Sequence, residues 1–364
     1  MKNEKERILK LVETGKLSAK EALILVEKLE DDYRQTESKV TALSEDVLDS
    51  DHFYSEKKRE PKPSIGSKLF EWIDTAVKKV KEVDLDLNFG QSYDVQHIFQ
   101  FKDTDFSTLD IQLANGSVNL MPWDDGDIRV ECQAKVYRVD NQEEARQAFL
   151  QHIDCGTEGD KFMIRTEKKT MKTNLTVYIP NKEYGKIRFK LFNGPVRGEH
   201  LSVKELSAKT TNGVLSFSAL TAEKAALETA NGQIKLADHD CGEIEAETIN
   251  GLIDIKGSCE SLDLQSFNGN IAATVKNPHC RSAYVKTTTG SIELNVPRDC
   301  AVTAELKSNL GSLSNDLRDA EILKEKNETI QKEMHVKANQ NHDHSMTVFL
   351  ETKTGSIHLN HTQE

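Results

Sequence analysis

From Tyr184 to Ser314 apolar and polar positions alternate with a period of two, and the alternation breaks at a recurring corner that most often reads Asn-Gly. Around Gly251 the inward set is Ile244, Ala246, Thr248, Ile253 and Ile255; around Gly290 it is Ala283, Val285, Thr287, Ile292 and Leu294. Both sets occupy the positions seven, five and three residues before the glycine and two and four after it. Such spacing means two strands per unit, each with one buried face, so Glu245, Glu247 and Asp254 fall on the solvent side.

The corner glycines Gly194, Gly213, Gly232, Gly251, Gly269, Gly290 and Gly311 are 19, 19, 19, 18, 21 and 21 residues apart. A fixed period of that size is the mark of a solenoid. Weaker copies stand at Gly116 and Gly355. The corners are Asn212–Gly213, Asn231–Gly232, Asn250–Gly251 and Asn268–Gly269, with Thr289 ahead of Gly290 and Thr354 ahead of Gly355. A two-residue hairpin would put the same positions on one face, but threonine is a poor occupant of the positive φ that a type I′ turn demands at both centres. The expectation is a mainly β fold, a parallel β-solenoid with about 19–21 residues per coil, glycine supplying backbone freedom at each corner.

Outside the repeat the pattern changes. Residues 1–30 read as a helical hairpin: Ile8, Leu11 and Val12 share a face, Gly15 ends the first helix, and Ser18 to Glu21 form a capping box that opens the second. So short a pair cannot bury its own apolar stripe, which predicts docking, for instance on another copy. Residues 31–63 are polar and read as a flexible linker. Residues 64–84 form an amphipathic helix with Leu69, Trp72, Ile73, Ala76, Val77 and Val80 on one face and Phe70 as a further aromatic. Two readings fit it, a cap over the open end of the solenoid or a membrane-interface contact. Residues 95–364 are the β-repeat domain, interrupted by a helix that Asp140 would begin and by a polar stretch, 315–344, expected as a surface insertion or a degenerate coil.

Charge and composition narrow the role. A net charge of -12 on 364 residues excludes the basic surface that nucleic acid requires. The charged N-terminus lacks a secretory core and no later run reaches a membrane span, so a cytoplasmic location is expected. Cys241, Cys259, Cys280 and Cys300 advance with the repeat and should stack as small buried groups near a second corner.

Chemical signatures are sparse. No phosphate loop, nucleophile elbow, zinc-protease or EF-hand motif is present, so no catalytic residue, cofactor or metal is assigned. His342, His344, His358 and His361 carry no diagnostic spacing. The stacking itself generates one cluster: Glu228 and Glu247 become neighbours, with Glu245 and Asp263 one outward position away. Carboxylates so placed repel unless a cation or a partner's basic group offsets them. They fit an ordinary solvated face, an interaction surface, or the acid and base of carbohydrate chemistry. Ile249 and Phe267 are expected outward beside them.

The opening "EKERILKLVETGKLSAKEALILVEKL" is similar to short bacterial helical modules linked to oligomerisation. "LANGSVNL", "TTNGVLSF", "TANGQIKL" and "TINGLIDI" resemble an adhesin-type β-strand-repeat domain of unknown function. Together with "KLFEWIDTAVKKVKEVDLDLNFG" and "KLFNGPVRGEH" they resemble a protein family of bacilli along nearly the whole chain. The layout is more loosely similar to the LiaX envelope-stress surveillance proteins. The resemblance implies a non-enzymatic regulator or sensor of the cell-envelope stress response, acting near the membrane, with a membrane-associated protein partner of the phage-shock type and self-assembly through the N-terminal helices. It offers no catalytic residues. LiaX-like proteins also occur outside the cell, which leaves surface exposure open. The competing expectations are a carbohydrate-active β-helix enzyme using Glu228, Glu245, Glu247 or Asp263, and a rigid spacer.

Overall fold

The computed structural model describes residues 91–328 and 330–362. The expected hairpin, linker and amphipathic helix, with Leu69, Phe70, Trp72, Ile73 and Val77, lie outside the described residues.

Each repeat folds as a long strand, an Asn-Gly corner and a short strand, and the repeats stack parallel and in register. The long strands β9 (Ser202–Asn212), β11 (Thr221–Asn231) and the second half of β12 (Ile234–Asn250) align so that Asn212, Asn231 and Asn250 lie side by side. The short strands β8 (Val196–Glu199), β10 (Leu215–Ser218) and the first half of β12 align Val196, Leu215 and Ile234. The same register continues through β13 (Ile253–Asn268), β14 (Ile271–Val275), β15 (Ser282–Thr289) and β16 (Ile292–Val296). This is the expected parallel solenoid. Its core is a set of ladders: Ile234, Ile253, Ile271 and Ile292, two residues after successive glycines, are all buried, each contributing about 1.5–3 kcal/mol by leaving water. Cys241, Cys259, Cys280 and Cys300 are buried free thiols, and Cys241 stands in register with Cys259.

The corner explains the recurrence of Asn-Gly. Asn212 Nδ2 donates to Asn193 Oδ1 at 2.8 Å, Asn231 to Asn212 at 2.9 Å and Asn250 to Asn231 at 2.9 Å. Thr289 Oγ1 continues the ladder onto Asn268 Oδ1 at 2.7 Å, which is why threonine serves there. From Gly213 onward a hydroxyl three residues before the glycine covers the carbonyl of the glycine on the preceding rung: Thr229 Oγ1 donates to Gly213 O at 3.1 Å, Thr248 to Gly232 O at 3.2 Å and Thr287 to Gly269 O at 3.0 Å. The glycine itself is required mainly by close approach. A Cβ on Gly251 would lie 1.7 Å from Gly232 O, so positive φ, found at Gly116, Gly194 and Gly290, is a secondary reason.

The order of coils in space departs from their order in sequence at both ends. Gly311 was expected to follow Gly290, with Gly355 a weaker copy beyond. Instead β21 (Ser345–Thr352) and β22 (Ile357–His361) insert between β15/β16 and the pair β17 (Ala301–Ser308) and β18 (Leu313–Asn315), parallel to both neighbours. The spatial sequence is therefore Gly290, Gly355, Gly311. At the other end β2 (Thr108–Trp123), which carries Gly116, inserts between β5 (Lys161–Thr166) with β6 (Met171–Pro180) and β7 (Glu183–Asn193) with β8. Asp110 holds that insertion. It is buried at 2% exposure, and its carboxylate takes hydrogen bonds from Arg188 of β7, Lys161 Nζ of β5 at 2.7 Å and Gln112 Nε2 at 3.2 Å. Burial pushes the carboxyl up, but the Arg188 and Lys161 bonds outweigh it and hold it below the usual carboxylate range.

Antiparallel strands finish both ends. The polar stretch 315–344 is an ordered surface insertion rather than a degenerate coil: β20 (Lys332–Ala338) runs antiparallel on β17, with the largely exposed β19 (Glu321–Asn327) beside it. Opposite, β3 (Ile128–Tyr137) lies antiparallel on β6 and β1 (Ser92–Phe101) on β3. The helix α1 (Gln142–His152) buries Ala145 and Phe149. Its cap is Asn141 rather than Asp140, because Asn141 is extended and its Oδ1 accepts from the Glu144 N–H at 2.9 Å, while Glu144 Oε2 accepts from the Asp140 N–H at 2.8 Å.

The corner contact makes Gly251→Ala a sharp test. The added methyl has no space without separating two rungs, so the variant should lose about 2–3 kcal/mol in denaturant unfolding. Unchanged stability would mean that the rungs are not in contact at the glycine.

Candidate functional site on the outward face of the long strands

Register places outward residues in two rows across the rungs. Six residues before each glycine the neighbours are Ala226, Glu245, Asp263, Tyr284, Phe349 and Glu305. Four residues before it they are Glu228, Glu247, Gln265, Lys286, Glu351 and Lys307. Glu228 and Glu247, expected as neighbours, are register partners, and Glu245 and Asp263, expected one outward position away, are register partners of each other.

Most of these acids are compensated. Lys209 Nζ lies 2.8 Å from Glu228, Lys224 Nζ lies 2.8 Å from Glu245 and 3.4 Å from Glu243, and Gln265 Nε2 donates to Asp263 Oδ1 at 3.0 Å. Lys286 pairs with Glu351 at 3.0 Å. Glu247 stands among them with no hydrogen bond or ion pair among the described residues. Burial, with the charges of Glu228 and Asp263 behind it, pushes the Glu247 carboxyl up to about 8, so it keeps its proton near neutral pH.

Two apolar residues expected outward on this face are less exposed than that placement suggests. Ile249 is covered, only 4% exposed, yet stands apart from the core cluster; burial at the corner extends to neighbouring residues, with Thr210 and Thr211, Thr229 and Ala230, and Thr248 and Ile249 as consecutive buried pairs. Phe267, at the equivalent position one rung on, is half-buried.

The sequence reading missed the aromatic part of the face. Tyr284 and Phe349 stack with centroids 5.1 Å apart and planes 7° apart. Tyr284 is 37% exposed, and Lys307 Nζ lies 5.4 Å from the Phe349 centroid. Both rings stand six residues before a glycine, a signal visible in the sequence only once the Gly355 rung is placed beside that of Gly290.

Glu305, Glu333 and His335 form a second unanticipated group, their ligand atoms within 4.8 Å of one another. His335 Nε2 lies 2.6 Å from Glu333 Oε1, Lys324 Nζ lies 3.1 Å from Glu333 Oε2, and Lys307 bonds Glu305. The hydrogen bonds from His335 and Lys324 hold Glu333 down at about 2. A cation would have to displace two ammonium groups, so the group reads as an ion-pair network. The histidines noted in the sequence go to separate places: His344 packs edge-on against His279 at 4.0 Å, His358 stands beside Glu293, and His361 Nε2 accepts from the Arg318 N–H at 3.0 Å. No helix among the described residues is long and apolar enough to cross a membrane.

The sequence profile of the Toastrack DUF4097 domain matches residues 106–360, the span of the ladder just described. The chain belongs to the Toastrack DUF4097 family. A SHOCT-like domain matches residues 3–33. An uncharacterised protein of Bacillus subtilis (strain 168), YvlB, is 70% identical over 364 residues, covering 100% of both chains. Among solved structures, a candidate adhesin from Bacteroides fragilis NCTC 9343 covers 73% of this chain and 97% of its own at 13% identity and a TM-score of 0.35. A candidate lipid-binding protein from Parabacteroides distasonis ATCC 8503 covers 73% and 95% at 10% identity and a TM-score of 0.37. Likeness at that level bears on neither the Toastrack solenoid nor its role.

The raised Glu247 carboxyl has a pH consequence. The unfolded chain releases this proton near the ordinary glutamate value of about 4.3, while the folded chain holds it to about 8. Its contribution to stability is therefore fully present below the lower value and lost as pH rises through the upper one. Glu247→Gln should match the parent in thermal melting near pH 4 and exceed it near pH 9. Parallel melting curves across that range would show an ordinary, solvated carboxylate.

Proposed function

We propose that this Toastrack protein is a non-enzymatic interaction protein of the bacterial cell-envelope stress response. The solenoid presents its outward long-strand face to a membrane-associated protein partner, and the N-terminal module assembles copies of the chain. The observation that carries the reading is the stacked Tyr284–Phe349 pair, part-exposed on a face fixed by strand register and bordered by carboxylates. Exposed aromatic area on a rigid, filled scaffold suits recognition of another surface. The SHOCT-like match over residues 3–33 supports a separate N-terminal module. In this reading the protein is cytoplasmic and peripheral at the membrane, with residues 64–84 as a second contact.

One observation favours a different class. Register sets Glu247 beside Glu228 and Glu245 beside Asp263; burial and these neighbours push the Glu247 carboxyl up to about 8, and carboxyls driven apart in this way suit general acid–base chemistry. A carbohydrate-active role would show as turnover of an envelope glycan that Glu247→Gln abolishes. A rigid spacer would show neither turnover nor a partner.

The assembly arm is tested by light scattering on the full chain and on a chain lacking residues 1–30. The expected result is a smaller assembly with the β-sheet circular dichroism unchanged. An identical mass for both would remove self-assembly from the proposal.

A further inference from the structure

We propose that the Tyr284–Phe349 stack and its flanking carboxylates form a docking surface for an extended, arginine-bearing basic segment of a partner protein. The inference rests on the interaction reading above and supplies the chemistry of the partner.

Three features select that occupant. First, stacked rings 5.1 Å apart match the spacing of adjacent strands, about 4.8 Å, so the stack runs along the ladder and its two ends face neighbouring rungs. Second, those rungs carry carboxylates in register with the rings, Asp263 beside Tyr284 and Glu305 beside Phe349. Across the two rows from the Gly251 rung to the Gly311 rung, Glu245, Glu247, Asp263, Glu351 and Glu305 stand against Lys286 and Lys307. Lys224, Lys286 and Lys307 pair Glu245, Glu351 and Glu305, so with Glu247 protonated the residual charge of the face is small and negative and lies at the Asp263 end beside Tyr284, which favours a basic partner there. Third, the chain already demonstrates the contact once: the Lys307 ammonium lies 5.4 Å from the Phe349 centroid while bonded to Glu305. The Tyr284 end offers the same pairing of ring and carboxylate, with Asp263 as the acid.

Guanidinium fits that pairing better than ammonium. It is planar, stacks on a ring face, and still presents paired N–H donors to a carboxylate at its edge. An extended segment lying along the ladder repeats its side chains about 7 Å apart on one side. One guanidinium at Tyr284 and Asp263 therefore brings the next residue on that side towards Glu245. A neutral glycan could also stack on the rings but would make no use of the acids.

The test is titration calorimetry of the full chain with an alternating arginine–glycine peptide, its lysine counterpart and a neutral glucan oligomer, at low and high salt. The expected order is arginine above lysine, with the glucan not binding. Tyr284→Ala and Asp263→Asn should each weaken the arginine peptide roughly tenfold, and Tyr284→Phe should keep it, all with parental melting temperatures. The proposal is overturned if the arginine peptide does not bind at low salt. It is equally overturned if binding is indifferent to Tyr284→Ala and Asp263→Asn, or if only the glucan binds. Loss of peptide binding alongside a positive assembly result would sink this inference and leave the interaction reading standing.

Discussion

The close contact between each corner glycine and the carbonyl of the glycine one rung back is the constraint on which the rest of the molecule depends. A side chain there would collide with backbone, at 1.7 Å for Gly251 and 1.8 Å for Gly232. Once the corners touch, the neighbouring groups have little choice. The asparagine amides fall into line and hydrogen-bond one another, the threonine hydroxyls reach the glycine carbonyls, and the isoleucines two residues later stack into a dry core. Each such hydrogen bond contributes about 1 kcal/mol. Their larger effect is on register, since slipping a strand by one residue would turn its apolar set to solvent.

Register in turn decides what the outside looks like. Residues remote in sequence become neighbours because the terminal coils are threaded into the ladder out of order. Phe349 reaches Tyr284 only because β21 sits between β15 and β17. The same device operates at the opposite end, where Asp110 of β2 is gripped by Lys161 and Arg188 from the two flanking rungs. A buried carboxylate is costly unless it is paired and hydrogen-bonded, so Asp110 is satisfied only where Lys161 and Arg188 meet. Antiparallel strands then cover both ends, a common protection for sheet edges.

Much of this was legible in the sequence. The period, the alternation and the threonines at two corners were enough for a parallel solenoid, and the acidic neighbours Glu228, Glu247, Glu245 and Asp263 followed from counting back from each glycine. What the count could not supply was the order of the rungs. Glycine spacing records position along the chain, whereas stacking is decided by which surfaces complement one another. The Gly355 coil, read as a weaker copy beyond the polar stretch, is an interior rung, and without that placement the aromatic stack was lost to view. Ile249 is covered for a local reason, since burial at the corner takes in two successive residues, Thr248 and Ile249. Glu247 was placed correctly, but its protonation depends on burial and on charges from two other rungs, which no linear spacing reveals.

Rung order is therefore the claim from which both the fold and the face follow, and cysteine cross-linking reads it directly. Lys286→Cys combined with Glu351→Cys places two thiols on adjacent rungs, within the Cα separation of about 4.4–6.8 Å that a disulfide spans. Lys286→Cys combined with Lys307→Cys places them two rungs apart, near 10 Å, beyond that reach. Mild oxidation of the folded chain, followed by peptide mapping, should give the 286–351 disulfide in high yield and leave the 286–307 pair reduced. The opposite pattern, 286 joined to 307 and not to 351, would restore simple sequential stacking and separate Tyr284 from Phe349.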